Sequence, residues 1–102
     1  MTQISRDAAW HLMNHIPFKR SNTRVEVHSS ASFMYLFDNL IAVYSFNPRR
    51  LILSKGINYL TSTTKSRLNA LPNVHVCTIK GQDMINDILW PEGDSTVTIL
   101  LD

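Results

Sequence analysis

Glycine, cysteine and charge are all scarce in this sequence. Three glycines among 102 residues cannot build the glycine-rich loop that cradles phosphates, and only Gly56 stands upstream of a candidate helix start. Cys77 is the only cysteine, which excludes an intrachain disulfide and a cysteine-ligated zinc site and suits a reducing cytoplasm. Charged residues make up 18% of the chain and hydrophobic ones 44%, so the sequence reads as globular, with a thinly charged surface that leaves room for an apolar partner face. A net charge of +2 is too small to argue for nucleic acid by itself. Long apolar runs are missing too. The run from Phe33 to Phe46 is broken by Asp38 and Asn39, well short of the roughly 20 apolar residues that span a bilayer. The first 16 residues carry Arg6, Asp7 and two histidines inside their apolar pattern, unlike a signal-peptide core. A soluble, unprocessed protein is expected.

What is present reads as one α+β domain over residues 1–102. Ser5 can cap an N-terminal helix on which Ala8, Leu12 and Ile16 recur every four residues, ending near His15 before Pro17. Phe18 to Asn22 reads as a basic connector, and Thr23 to Ser29 as a strand with Val25 and Val27 on one face and Arg24, Glu26 and His28 on the other. After a turn over Ser29 to Ser32, the runs Phe33 to Phe37 and Leu40 to Phe46 form a hairpin about Asp38 and Asn39. A second turn at Asn47 to Arg50 leads to a third run, Leu51 to Ser54, which completes an antiparallel β-meander.

The stretch from Thr61 to Val74 is the best-marked boundary. Hydroxyl residues lead into a short second helix with Leu68 and Leu71 facing the core, and Pro72 closes it before a strand at Val74 to Lys80. Met84 to Trp90 reads as a hairpin about Asn86 and Asp87, with one irregular helical turn as the alternative. A turn over Pro91 to Asp94 and a final β-rich run, Thr96 to Leu101, follow.

Both alternating sets of Leu40 to Phe46 are largely apolar, with Leu40, Ala42, Tyr44 and Phe46 on one face and Ile41 and Val43 on the other. A strand of this kind is usually covered on both sides. With two helices available, the second face must meet another sheet layer, a second protomer or a partner; self-association leads, with an internal layer built from Met84 to Leu101 close behind.

Three segments carry a resemblance: Phe37 to Ala42, Leu51 to Ser54, and Thr63 to Val74. Together they resemble a group of small tailed-bacteriophage proteins that share an Asn-x-Ile-Ala strand and a Thr-Thr-Lys-x-Arg-Leu-Asn-x-Leu-Pro-x-Val block. Members of that group continue with an aromatic strand, an Asn-Gly turn and a tryptophan; here Met84, Ile85, Asn86, Asp87 and Trp90 stand in those places without the glycine. The resemblance implies a phage origin and a small accessory role during infection, in the host cytoplasm. It supplies no catalytic residue.

Several constellations have chemical potential. Asp7, His11 and His15 lie four residues apart on one helical stripe, the spacing of helix-borne metal ligands, although Leu12 stands where metalloproteases place a glutamate; a solvated polar stripe is the plainer reading. Thr61 to Thr64 bring hydroxyls and free backbone N–H groups to a helix start near Lys65 and Arg67, where an anion could sit, but capping explains them too. Basic residues fall into three groups: Lys19, Arg20 and Arg24; Arg49, Arg50 and Lys55; Lys65 and Arg67. Two of these brought together would make a nucleic-acid stripe, with Tyr35, Tyr44 or Tyr59 to stack bases; scattered solvated charge is the alternative. Cys77 with His75 or His28 is the candidate nucleophile set, against which stands an inert thiol in an apolar strand. Asp83, Asp87, Glu92, Asp94 and Asp102 gather near the C-terminus, opposite in sign to the basic middle, a dipole suited to oriented docking.

The sequence therefore leads to a binding protein, not an enzyme, that engages and inhibits a host protein without cofactor or metal. Arg49, Arg50, Lys55, Lys65, Arg67 and Trp90 are the expected contact residues, and Trp10 is a second candidate anchor. A nucleic-acid module using the basic turns is the alternative, and a metal-dependent enzyme comes third.

Overall fold

In the computed structural model, which describes residues 2–56, 60–91 and 96–101, the chain starts with a helix capped by Thr2. The Thr2 Oγ1 accepts the Ser5 backbone N–H at 3.1 Å, and α1 runs Gln3–Met13. Ser5, the cap expected from sequence, is instead the third helical residue. It is fully buried because its hydroxyl serves the second helix: it meets Ser66 Oγ at 2.7 Å and accepts from Arg67 Nη1 at 2.7 Å. Ala8, Ala9 and Leu12 form the buried stripe, and Ile16 lies beyond the helix, exposed.

Six antiparallel strands follow in one sheet. They are β1 (Phe18–Arg20), β2 (Thr23–His28), β3 (Ala31–Leu36), β4 (Asn39–Ser45), β5 (Arg50–Leu53) and, from the end of the chain, β9 (Val97–Leu100), ordered β1-β2-β3-β4-β5-β9. The stretch expected as a connector thus contributes an edge strand, with Phe18 opposite Val25 and Arg20 opposite Thr23. The hairpin between β3 and β4 turns on Phe37 and Asp38, one residue earlier than expected, both with positive φ (49° and 65°).

The register shifts between Met34 and Tyr35: Met34 faces Ala42 while Tyr35 faces Leu40, so Ile41 is an extra residue in β4. This corrects the face assignment. Leu40 falls on the side opposite Ala42 and Tyr44, and Ile41 and Ala42 are both buried (1% and 0% exposed).

The second helix, α2 (Ser62–Asn69), is capped by Thr61, whose Oγ1 accepts the Thr64 N–H at 3.1 Å. Leu68 and Leu71 are buried, as the pattern predicts, and exposed Pro72 follows. Beyond it a small three-stranded sheet forms from β6 (Val76–Ile79), β7 (Gln82–Ile85) and β8 (Ile88–Leu89). Asn86 and Asp87, with φ of 48° and 70°, make the two-residue turn expected of the hairpin reading.

The architecture is α+β, with both helices and the small sheet sharing one core with one face of the large sheet. Leu12 of α1, Leu68 of α2, Met34, Leu51 and Leu53 of the large sheet, and Val76 and Ile85 of the small one belong to a single buried cluster. Full burial of each such aliphatic side chain stabilises the fold by roughly 1.5–3 kcal/mol. The internal second layer expected from Met84 to Leu101 does not form: β9 widens the first sheet beside β5, with Leu51 opposite Ile99, and the β6–β8 sheet joins the core already covered by helices. No helix among the described residues is long and apolar enough to cross a membrane. Tyr59, Glu92, Asp94 and Asp102, and the expected turn after Pro91, lie outside the described residues.

Candidate functional site

Arg67, expected at a contact surface, points inward. It is 5% exposed and donates Nε to Thr23 Oγ1 at 2.9 Å, Nη1 to Ser5 Oγ at 2.7 Å and to Thr2 Oγ1 at 3.2 Å, and Nη2 to Asn22 Oδ1 at 3.3 Å. Burial pushes the guanidinium below its ordinary pKa. Every acceptor is neutral, and the side chain ties the start of α1, α2 and the start of β2 together.

Trp90 is also interior, at 4% exposure, with the Lys55 ammonium 5.9 Å from its ring centroid. Lys55 in turn pairs with Asp83 at 3.1 Å, both side chains largely buried. Burial works to raise the Asp83 carboxyl, but Lys55, the Thr78 hydroxyl and the Leu60 N–H outweigh it and hold the group below the ordinary carboxylate value. Lys55 is thereby part of the scaffold.

The three basic groups do not merge into a stripe. Arg20 pairs with Asp7 at 2.8 Å, and Arg24 binds Glu26 and Asp38 and lies 4.2 Å from the Tyr35 ring centroid. Arg49 donates to the Tyr44 hydroxyl at 2.8 Å, Arg50 to Ser45 Oγ at 3.1 Å, and Lys65 to Thr78 Oγ1 at 3.1 Å. Arg24 on β2 and Arg50 on β5 sit three strands apart, about 14 Å at the usual strand spacing, and towards opposite strand ends.

The metal-like stripe disperses as well. Asp7 is held below its ordinary pKa by Gln3 and Arg20, His11 Nδ1 lies 2.6 Å from the Asp7 carbonyl, and His15 turns away at φ 56°. No group of three metal-ligating side chains occurs among the described residues. His15 packs in a small aromatic nest, stacked on Tyr44 at 5.0 Å, edge-on to Phe46 at 4.1 Å and 2.5 Å from Ser32 Oγ. Burial lowers its pKa. Ser32 is fully buried, so this hydroxyl–imidazole couple is closed to a substrate. Cys77 is free and partly buried, opposite Met84 on β7, while the His75 backbone N–H donates to Asn86 Oδ1 at 2.7 Å.

The residue that sequence reasoning underweighted is Trp10. It is 56% exposed on the face of α1 away from the core and borders a shallow cleft of about 290 Å³ with Arg6, Ala9, Met13, Asn14 and Ala70. The signal was in the helical period: with Ala8, Ala9 and Leu12 buried, position 10 must face outward. A second open surface is the sheet face opposite the helices, carrying Phe33, Tyr35, Leu40, Val43 and Ile52, none of which belongs to the buried cluster. A wider, more polar cleft of about 840 Å³ lies between the β1–β2 and β3–β4 turns, where Lys19, Asn22, Arg24, Phe37 and Asp38 are exposed or half-buried.

Compared with known proteins, residues 1–94 match the family model described as Kyanoviridae Gp96 protein, a span that ends before β9. No curated protein and no solved structure matches.

Proposed function

The chain belongs to the Kyanoviridae Gp96 family, a family of phage proteins, and from that premise we propose that it is an accessory protein that binds a host protein in the host cytoplasm and inhibits it without catalysis. The observation that carries this reading is the exposed Trp10. Tryptophan is among the residues most enriched at binding hot spots, and Trp10 lies beside a cleft that a partner side chain could enter. Here its ring edge meets His11 at 5.0 Å, and Met13 and Arg6 border it, so an apolar centre sits beside polar groups as in protein interfaces. The cleft bordered by Ala9, Trp10, Met13 and Ala70 would receive an aliphatic or aromatic side chain of a partner.

The basic turns support a nucleic-acid reading less well, because their cations are tied to carboxylates, hydroxyls and rings spread over the fold. Affinity capture from infected host cells, followed by mass spectrometry, tests the proposal with wild type and Trp10→Ala side by side. One host protein retained by wild type and lost with Trp10→Ala supports it. Retention of DNA or RNA that salt removes, with no host protein enriched, overturns it.

A further inference from the structure

We propose that the Trp10 face receives an acidic segment of its protein partner, with an apolar side chain in the cleft and a neighbouring carboxylate on Arg6. This rests on Trp10 being the anchor and names the chemistry of what it anchors. On α1, Arg6, Trp10 and Met13 stand at i, i+4 and i+7, and all three border the cleft that reaches Ala70. That spacing places them on one stripe of the helix, the pattern by which helices present anchor residues. Ala9, Met13 and Ala70 give the cleft an apolar floor, so an aliphatic or aromatic side chain fits it. Arg6 is the single formal charge on its lining.

That charge selects the partner. Arg6 Nη2 reaches only the Gln3 amide oxygen, at 3.5 Å on the exposed surface, and no carboxylate among the described residues pairs with it. Asp7, the one acid on α1, is taken by Gln3 at 2.7 Å and Arg20 at 2.8 Å. The indole N–H of Trp10 is a second donor with no acceptor among the described residues, on a side chain 56% exposed. Against these two donors the lining offers one neutral amide acceptor, the Asn14 side-chain oxygen, since the Asn14 amide N–H already donates to the Trp10 carbonyl at 2.8 Å. A positive surface with donors to spare is complemented by a carboxylate, which takes a guanidinium through two parallel bonds. Two other occupants lack that match. A second copy meeting α1 with α1 brings no free carboxylate, and a nucleic-acid strand needs successive cations along its phosphates where the cleft supplies one.

The experiment pans a random-peptide display library on the purified wild-type chain and on Arg6→Glu, scoring only peptides that Trp10→Ala fails to retain. Circular dichroism checks that each variant is folded; position 6 is exposed near the start of α1, where a glutamate suits the helix. Wild type should enrich peptides with Asp or Glu next to Leu, Phe or Trp, and Arg6→Glu should enrich Lys or Arg in that place. A synthetic peptide from the wild-type selection should bind Arg6→Glu at least about tenfold more weakly, keep most of its affinity for Arg6→Lys, and bind more weakly as salt rises. Neutral or basic peptides on wild type, or the same peptides on both chains, overturn the proposal and leave Trp10 standing as the anchor. A library from which Trp10→Ala retains every enriched peptide, or from which none is enriched, removes the anchor itself and overturns both readings.

Discussion

The Arg67 Nη1 lies 2.7 Å from Ser5 Oγ, joining the two helices through a buried cation that no carboxylate balances among the described residues. Its hydrogen bonds to Thr2, Ser5, Asn22 and Thr23 replace water with neutral oxygens in a fixed fork, which lysine's single ammonium cannot reproduce. Arg67→Lys should therefore destabilise the protein by about 1–3 kcal/mol, the cost of leaving buried hydroxyls without their partner. Ser5→Ala should cost less, about 1 kcal/mol, because one bond is lost while the others hold. Urea unfolding of both variants measures this; an Arg67→Lys midpoint equal to wild type would contradict the tie.

Helix α2 and the β7–β8 hairpin were legible from sequence because their signals are local. Thr61 caps its own helix and Asn86–Asp87 tolerate the left-handed turn, so no distant residue had to be known. The start of α1 was misplaced because Ser5 is a cap by type but a bridge by position, a role that depends on Arg67, 62 residues away. The bulge at Ile41 was equally hidden, since register is decided between strands and not within one. The exchange of Trp90 for Trp10 follows the same logic. The period of α1 alone turns Trp10 outward, whereas the burial of Trp90 depends on Lys55 and the core around it.

Gly56 adopts φ +83°, and a Cβ there would lie 3.0 Å from Ile41 Cγ2, at the bulge that sets the faces of β4. Gly56→Ala should cost about 1–2 kcal/mol from the left-handed backbone alone, with the close approach adding to it. A thermal melt lowered by several degrees is the expected result.

Lys55 and Asp83 are a largely buried pair, and breaking one partner leaves a charge without its counter-ion. Asp83→Asn should destabilise by about 3 kcal/mol, within the range for buried pairs that lose one member. Because Lys55 lies against Trp90, the emission of Trp90 in a Trp10→Phe background should shift in the same variant. Unchanged emission would place the pair outside the Trp90 environment.

Burial lowers the His15 pKa, so the unfolded chain takes up a proton before the folded one does. Stability is then full above the ordinary histidine value of about 6.5 and declines as pH falls below it. Asp7, Asp83 and Glu26, all held below their ordinary values, add a second loss once pH drops below about 4.5. His15→Phe should flatten the first decline and leave the second. Urea midpoints at intervals from pH 8 down to about pH 2 record both.

The most direct test of the functional account is the affinity of the captured host protein for purified wild type and for Trp10→Ala, both checked for a native circular dichroism spectrum. A loss of at least about 2 kcal/mol, roughly thirtyfold in Kd, is predicted for a tryptophan that carries the interface. An affinity unchanged by Trp10→Ala would contradict it.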